Sequence, residues 1–154
     1  VIALDVDHFK TYNDNYGHPA GDQVLQQLAN VMLEMTSRTG EFAARMGGEE
    51  FVLFYPTVNR TAALELAEEL RMKVLGLKIP HEKSLTAEYV TVSFGVISCV
   101  PEWELEFDTL LKAADDALYL SKTSGRNRVT CGELEASDPS SRSNCLRRRS
   151  RALR

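Results

Sequence analysis

The chain has 154 residues, of which 44% are hydrophobic and 26% are charged, with 9 glycines and 5 prolines. This composition is typical of one globular domain, and it excludes a wholly disordered, collagen-like or coiled-coil chain. The net charge of -4 is uneven, since residues 133–154 hold six arginines against three acidic residues and leave 12 basic and 19 acidic residues before them.

Hydrophobic periodicity predicts the elements in chain order. The expected elements are a buried strand at 1–6, a helix with apolar positions at 24–35, a β-hairpin with strands at 42–45 and 51–55, a helix at 61–75 ended by Gly76, a half-buried strand at 89–96, a helix from an N-cap at Asp108 to about 124 ended by Gly125, and a short strand at 128–130. This order predicts an α/β fold of the α+β sandwich type, with a mixed central β-sheet flanked by helices. The periodic pattern ends near residue 131, and residues 132–154 are expected to be a disordered tail or linker.

The cysteines and the apolar runs indicate the cellular compartment in which the segment is expected. Cys99, Cys131 and Cys145 form no CxxC pair, so neither a disulfide framework nor a zinc cluster is predicted. There is no run of 18 apolar residues and no basic-then-apolar leader. We therefore expect a cytoplasmic segment with no membrane contact and no nucleic-acid partner; an anchor in segments upstream of Val1 is left open.

Two acidic pairs fall where predicted strands meet turns. Asp5 and Asp7 lie two residues apart at the end of the first strand, so their side chains leave the same face. Such carboxylates suit a hard cation, although an isolated pair is more often a solvated turn. Glu49 and Glu50 follow paired glycines in the hairpin, and glycine lets a backbone approach a ligand closely. Together the pairs predict a metal site shared between a strand end and a hairpin tip.

The hairpin sequence resembles a known signature. Gly47, Gly48, Glu49, Glu50 and Phe51 spell GGEEF, which is similar to the signature of the GGDEF family of diguanylate cyclases. Other matching blocks stand in the family's order: Asp5-Val6-Asp7-His8-Phe9-Lys10, Asn13-Asp14, Gly17-His18 and Gly21-Asp22 before the signature, and Ser93-Phe94-Gly95 and residues 114–127 after it. So many blocks make an accidental match very unlikely. The resemblance implies a domain over 1–131 with a fold like nucleotidyl cyclases and polymerase palm domains.

The resemblance also implies an activity, the metal-dependent condensation of two GTP molecules into cyclic di-GMP with release of pyrophosphate in bacterial second-messenger signalling. It assigns the metal ligands to Asp5, Glu49 and the Val6 carbonyl, which would hold Mg²⁺ or Mn²⁺, two ions per GTP site. Glu49 or Glu50 would assist removal of the 3′-hydroxyl proton, and the sequence does not divide that role between them. Asp7 receives only a supporting role.

Guanine recognition is assigned by resemblance to Asn13 and Asp22, with His18 lining the same pocket. A carboxylate accepts from the N1–H and the 2-amino group of guanine, and adenine lacks that pair of donors. From the residues alone, a helix N-cap is the preferred interpretation of Asp22, and an exposed loop residue that of His18.

Phosphate recognition is assigned by resemblance to Lys10, Lys122 and Arg126, together with the backbone N–H groups of His8 and Phe9. The spacing of Lys122 and Arg126 by four predicts that both lie near one side of a helix end. The alternative is that these two are ordinary charges that favour the helix dipole.

Two departures from the family pattern carry expectations. Arg38 and Glu41 stand where many members have an Arg-x-x-Asp inhibitory site, and glutamate in place of aspartate should weaken product binding. The family's leading helices are missing before Val1, so the segment is expected to be less stable than a whole domain and weakly active or inactive.

The expected partners are GTP, a second GTP-loaded copy in a transient homodimer, and an upstream sensory or receiver domain. The alternative function is a catalytically inactive GTP-binding or regulatory module; a cyclase with a different product is a weaker third option.

Overall fold

A computed structural model describes residues 1–101 and 105–134, so residues 135–154 of the predicted tail lie outside the described part. The described elements are β1 (Ile2–Val6), α1 (Phe9–Tyr16), α2 (His18–Met35), β2 (Phe42–Gly47), β3 (Glu50–Phe54), α3 (Arg60–Gly76), β4 (Val92–Val96), α4 (Phe107–Thr123) and β5 (Val129–Cys131).

The strands form one mixed sheet in the order β2-β3-β1-β4-β5. All neighbouring pairs are antiparallel except β4 and β5, which are parallel. The central position of β1 places its acidic end between the hairpin on one side and β4 on the other. The predicted fold class, a mixed sheet flanked by helices, is confirmed.

Alternation along β1 divides the core between the two faces of the sheet. Ile2, Leu4 and Val6 belong to the larger apolar cluster, which also includes residues of α2 and α3, whereas Ala3 packs in a smaller cluster with residues of α4. Because α4 covers that second face, β4 is buried throughout, and the prediction of a half-buried strand was wrong. The close approach depends on Gly95, where a Cβ would run into the backbone of α4.

The region after β1 is more helical than predicted. Residues 9–16 form α1, which was not predicted although Phe9, Tyr12 and Tyr16 have helical spacing. Only Gly17, with φ 84°, separates α1 from α2. Helix α2 can begin this early because Pro19 is compatible with a first helical turn.

Three predicted helix boundaries were wrong. Asp22 is not an N-cap, since α2 begins at His18. Asp108 lies in the first turn of α4, whose N-cap is Glu106. Gly76 is the last residue of α3 rather than a stop beyond it. Helix α2 begins four residues before Asp22 because Pro19 fits the first turn of a helix. The differences at Asp108 and Gly76 are only one or two residues.

Within 1–101 and 105–134, no helix has the length and apolar character needed to cross a bilayer. Cys99 and Cys131 are free thiols, and Cys145 lies outside the described residues.

Candidate functional site

The acidic end of β1 and the hairpin tip meet, as predicted. Asp5 lies directly opposite Glu50 in the antiparallel pairing of β1 with β3. The Val6 N–H donates to the Glu49 carbonyl at 3.4 Å, which ties the tip to the strand. Gly48 supplies the left-handed conformation of the turn, with φ 53°. The sheet therefore brings Asp5, Val6, Glu49 and Glu50 to one place.

Asp5 is a buried carboxylate with one cationic partner. Lys122 Nζ on α4 contacts Asp5 Oδ2 at 2.7 Å. Burial raises the pKa of Asp5 to about 6, against the opposing effect of Lys122, and the nearby charges of Glu49 and Glu50 add to the rise. The surroundings of Asp5 thus raise its proton affinity. A cation at the site would stabilise the ionised carboxylate instead.

The donor set fits a hard divalent ion that is shared with a substrate. Among the described residues, no three side chains of His, Cys, Asp or Glu gather closely enough to hold a metal alone. The groups that do gather are carboxylate and carbonyl oxygens, and Mg²⁺ is usually held by one or two carboxylates together with substrate phosphates.

Asp7 is placed differently from Asp5. Its side chain is fully buried and accepts from Thr91 Oγ1 at 2.7 Å, from Ser93 Oγ at 2.7 Å and from the Asn127 N–H at 3.0 Å. The side chains of Asp5 and Asp7 do leave the same face of the sheet, because Ser93, which pairs with Asp5 across the sheet, is also the residue whose hydroxyl donates to Asp7. Asp7 nevertheless has no exposed oxygen to offer to an ion, and the supporting role expected of it stays a prediction.

The candidate phosphate groups lie around the end of β1 on two turns. His8 has φ 56° and is the N-cap of α1, so the first N–H groups of that helix follow it, and Lys10 beside them is exposed. Burial and the charge of Arg126 lower the pKa of His8. On the second turn, Arg126 has φ 63° and its Nε lies 4.0 Å from Asp7 Oδ1.

Lys122 and Arg126 are not neighbours on a helix face, and that prediction was wrong. Helix α4 ends at Thr123, so Arg126 lies beyond it in the turn that precedes β5. Lys122 reaches Asp5 while Arg126 reaches toward Asp7. The tertiary fold brings both side chains to the end of β1.

The candidate guanine residues lie on α1 and α2. Asn13 packs against Gly21, where a Cβ would collide with its side chain, and Asn13 Oδ1 is buried without a hydrogen-bond partner among the described residues. Asp22 is exposed and lines a cavity of about 440 Å³ between α2 and the hairpin, together with Leu25 and Phe51. His18 is exposed at the first position of α2 and lies outside that cavity lining.

Two polar contacts near the site were missed in the sequence. Arg45 Nε donates to the Gly48 carbonyl at 2.8 Å and so holds the signature turn. Arg71 Nη1 on α3 donates to Asn127 Oδ1 at 2.7 Å and holds the turn that carries Arg126. Arg45 stands two residues before the glycine pair, which is a usable signal, whereas nothing in the sequence links Arg71 to residue 127.

The candidate inhibitory pair forms its own turn. Glu41 Oε2 accepts from the Arg38 N–H at 3.0 Å, and the Glu41 N–H donates to the Arg38 carbonyl at 3.0 Å. The Glu41 carboxylate is therefore engaged with the main chain of Arg38, and the proposal of weak product binding stays a prediction.

Comparison with known proteins finds close likeness in sequence. The family described as diguanylate cyclase, GGDEF domain, matches residues 1–128. Diguanylate cyclase A of Treponema denticola is 41% identical over 135 residues, which covers 84% of this chain and 34% of that protein. Diguanylate cyclase DgcM of Escherichia coli K12 is 43% identical over 129 residues, which covers 84% of this chain and 30% of that protein. The chain thus spans about a third of the length of these relatives.

Solved structures show the same likeness in fold. The GGDEF domain of DgcB from Caulobacter crescentus, in complex with c-di-GMP, has a TM-score of 0.74 and 37% identity, covering 84% of this chain and 75% of that chain. The GGEEF domain of a diguanylate cyclase from Vibrio cholerae has a TM-score of 0.69 and 32% identity, covering 88% of this chain and 82% of that chain.

Proposed function

The chain belongs to the GGDEF family of diguanylate cyclases, and on that basis we propose that it condenses two GTP molecules into cyclic di-GMP with release of pyrophosphate. The proposed domain is residues 1–131. The observation that carries the proposal is the pairing of Asp5 with Glu50, which brings a buried strand-end carboxylate to the GGEEF tip.

Asp5, Glu49 and the Val6 carbonyl are the proposed ligands of Mg²⁺ or Mn²⁺, with two ions per GTP site. Bound there, the ions supply Lewis-acid stabilisation of charge on the triphosphate. Lys122 contacts Asp5 at 2.7 Å, and an ion held by that carboxylate would leave the Lys122 ammonium free to bind a phosphate oxygen.

The reaction joins the 3′-oxygen of one GTP to the α-phosphorus of another, and pyrophosphate leaves. The proton of the 3′-hydroxyl passes to Glu49 or Glu50, which stand on the hairpin beside Asp5. The same step occurs twice to close the ring.

The remaining residues bind and orient the nucleotide. Asn13 and Asp22 take the Watson–Crick edge of guanine, and the exposed Asp22 lines the cavity of about 440 Å³ between α2 and the hairpin, which supports its part in this role. His18 borders the nucleotide from the start of α2. Lys10, Lys122, Arg126 and the N–H groups of His8 and Phe9 bind the triphosphate, since donors at a helix N-terminus and cationic side chains favour anions.

A second copy of the domain is the proposed partner, because one site holds one GTP and the product contains two guanylates. Two loaded copies meet face to face so that each 3′-hydroxyl addresses the other's α-phosphorus. An upstream sensory or receiver domain in the whole protein would control that encounter.

The test is product formation by variants of the hairpin. The protein is incubated with GTP and Mg²⁺ or Mn²⁺, and cyclic di-GMP is measured by liquid chromatography and mass spectrometry. Glu49→Ala should abolish turnover, and Glu65→Ala, an exposed glutamate of α3, should not. Unchanged turnover in Glu49→Ala would overturn the metal assignment.

A further inference from the structure

The two turns expected to bind phosphate share an unusual backbone conformation. His8 has φ 56°, Arg126 has φ 63° and Asn127 has φ 47°. Few non-glycine residues adopt this left-handed conformation, and asparagine and histidine do so more readily than most. Such residues persist only where the surroundings hold them in place, and they concentrate at functional sites.

Asp7 is the residue that joins these turns. It directly precedes His8, and its own N–H donates to the Thr91 carbonyl at 2.9 Å. Asp7 is 1% exposed, and its carboxylate is fixed to the region of β4 by the hydroxyls of Thr91 and Ser93. From there Oδ2 accepts the N–H of Asn127, the residue after Arg126, at 3.0 Å.

The second turn is also held from the opposite side. Arg71 donates to Asn127 Oδ1 at 2.7 Å, and Arg71 is itself held by Glu68 through contacts of 2.8 Å and 2.6 Å. Asn127 is therefore fixed by its N–H toward β1 and by its side chain toward α3. Arg126, between this residue and the end of α4, has its Nε 4.0 Å from Asp7 Oδ1, so the same carboxylate attracts the guanidinium.

We propose that Asp7 is a positioning residue of the triphosphate site, whose buried carboxylate sets the separation and orientation of the His8 and Arg126 turns. The proposal rests on the proposed function for the identity of the phosphate groups. If Asp7 only attached β1 to β4, its replacement would lower the stability of the whole domain. It would not lower selectively the affinity for one part of the nucleotide.

The experiment compares Asp7→Asn with the wild type and with Asp14→Asn, an exposed control on α1. Asparagine can still accept from one donor, and the Thr91 and Ser93 hydroxyls can turn to accept from its amide. Calorimetry with Mg²⁺ measures the affinity for a non-hydrolysable GTP analogue and for GMP, which lacks the β- and γ-phosphates. Thermal melting of each variant is measured alongside.

For Asp7→Asn we expect about a tenfold loss of affinity for the GTP analogue, the effect of one hydrogen bond to a charged group, with GMP affinity within twofold of wild type. Asp14→Asn should change neither affinity. Equal losses for both nucleotides, or no loss for either, would overturn the proposal.

A second variant covers the case in which Asp7→Asn does not fold. Ser93→Ala keeps the Asp7 carboxylate but removes the hydroxyl that donates to its Oδ1 at 2.7 Å and helps to orient it, so a selective loss of GTP-analogue affinity is again expected. An unselective change would contradict the proposal.

The outcome separates this inference from the proposed function. A wild type that forms no cyclic di-GMP, together with a selective loss in Asp7→Asn, would refute the proposed activity and support the positioning role. A wild type that binds the GTP analogue no more tightly than GMP would refute the positioning role even if product is formed.

Discussion

Replacing Asp5 with asparagine should raise the stability of the metal-free protein at neutral pH. In acid the gain in stability should be much smaller. The pKa of Asp5 is raised from its ordinary value of 3.8 to about 6, chiefly by burial. The folded state therefore binds this proton more tightly than the unfolded state does. The stability that the proton contributes is fully present below about pH 3.8 and is lost as the pH rises through about 6. Asparagine, which is neutral at every pH, does not show this loss.

The magnitude follows from the size of the shift. Each pKa unit corresponds to about 1.4 kcal/mol, so the full loss is about 3 kcal/mol, of which about 2 kcal/mol falls between pH 4.5 and pH 7.5. For a domain of this size, about 2 kcal/mol changes the melting temperature by roughly 8 °C.

The assay is thermal melting of both proteins in a chelator across that pH range. The difference between Asp5→Asn and wild type should grow with pH in favour of the variant, and the contributions of acids that do not interact with Asp5 cancel in the difference. Added Mg²⁺ with a GTP analogue should reverse the order, because only the wild type retains the proposed ligand. A difference that stays constant with pH would show that Lys122 already offsets the burial of the charge, and it would refute the reasoning.

Four other substitutions, of which Gly47→Ala is a control, test the packing and the candidate inhibitory site. Gly95→Ala should prevent stable folding because the new Cβ would enter the backbone of α4, whereas Gly47→Ala meets nothing within 4 Å and should melt near wild type; similar melting of both would contradict the close packing. Ser121→Ala should lower the free energy of unfolding by about 1–2 kcal/mol in chemical denaturation, since the buried hydroxyl donates to the Phe94 carbonyl at 2.7 Å, and a negligible change would count against that bond. Glu41→Asp should lower the cyclic di-GMP concentration that half-inhibits turnover several-fold, and an unchanged value would show that the glutamate is not what weakens product binding.

Much of the sheet could be predicted because its signals are local. The apolar run of β1, the glycine pair of the hairpin and the apolar stripes of α3 and α4 all act within a few residues. The meeting of Asp5 with the signature hairpin was predicted instead from the chemistry of the two acidic pairs and from the family resemblance. The burial of β4 was not, because the face that carries Gly95 is covered only once α4 docks on it.

The site was predictable in its residue types but not in its pairings. Asp5 and Asp7 look equivalent in the sequence, yet one contacts Lys122 beside the hairpin and the other is enclosed by Thr91, Ser93 and Asn127. These partners are 84 to 120 residues away along the chain. Periodicity holds no information on contacts at that separation, so only the fold distinguishes the two carboxylates.

Product analysis decides whether this chain makes cyclic di-GMP, as we propose. The wild type, alone and fused to a parallel two-stranded coiled coil that brings two copies together, is incubated with Mg²⁺ and either GTP or ATP. We expect cyclic di-GMP with two pyrophosphates per product from GTP, and no cyclic dinucleotide from ATP, because the guanine donors have no counterpart in adenine. Binding of GTP without any cyclic di-GMP, in the fused protein as well, would contradict the claim and favour a GTP-binding regulatory module.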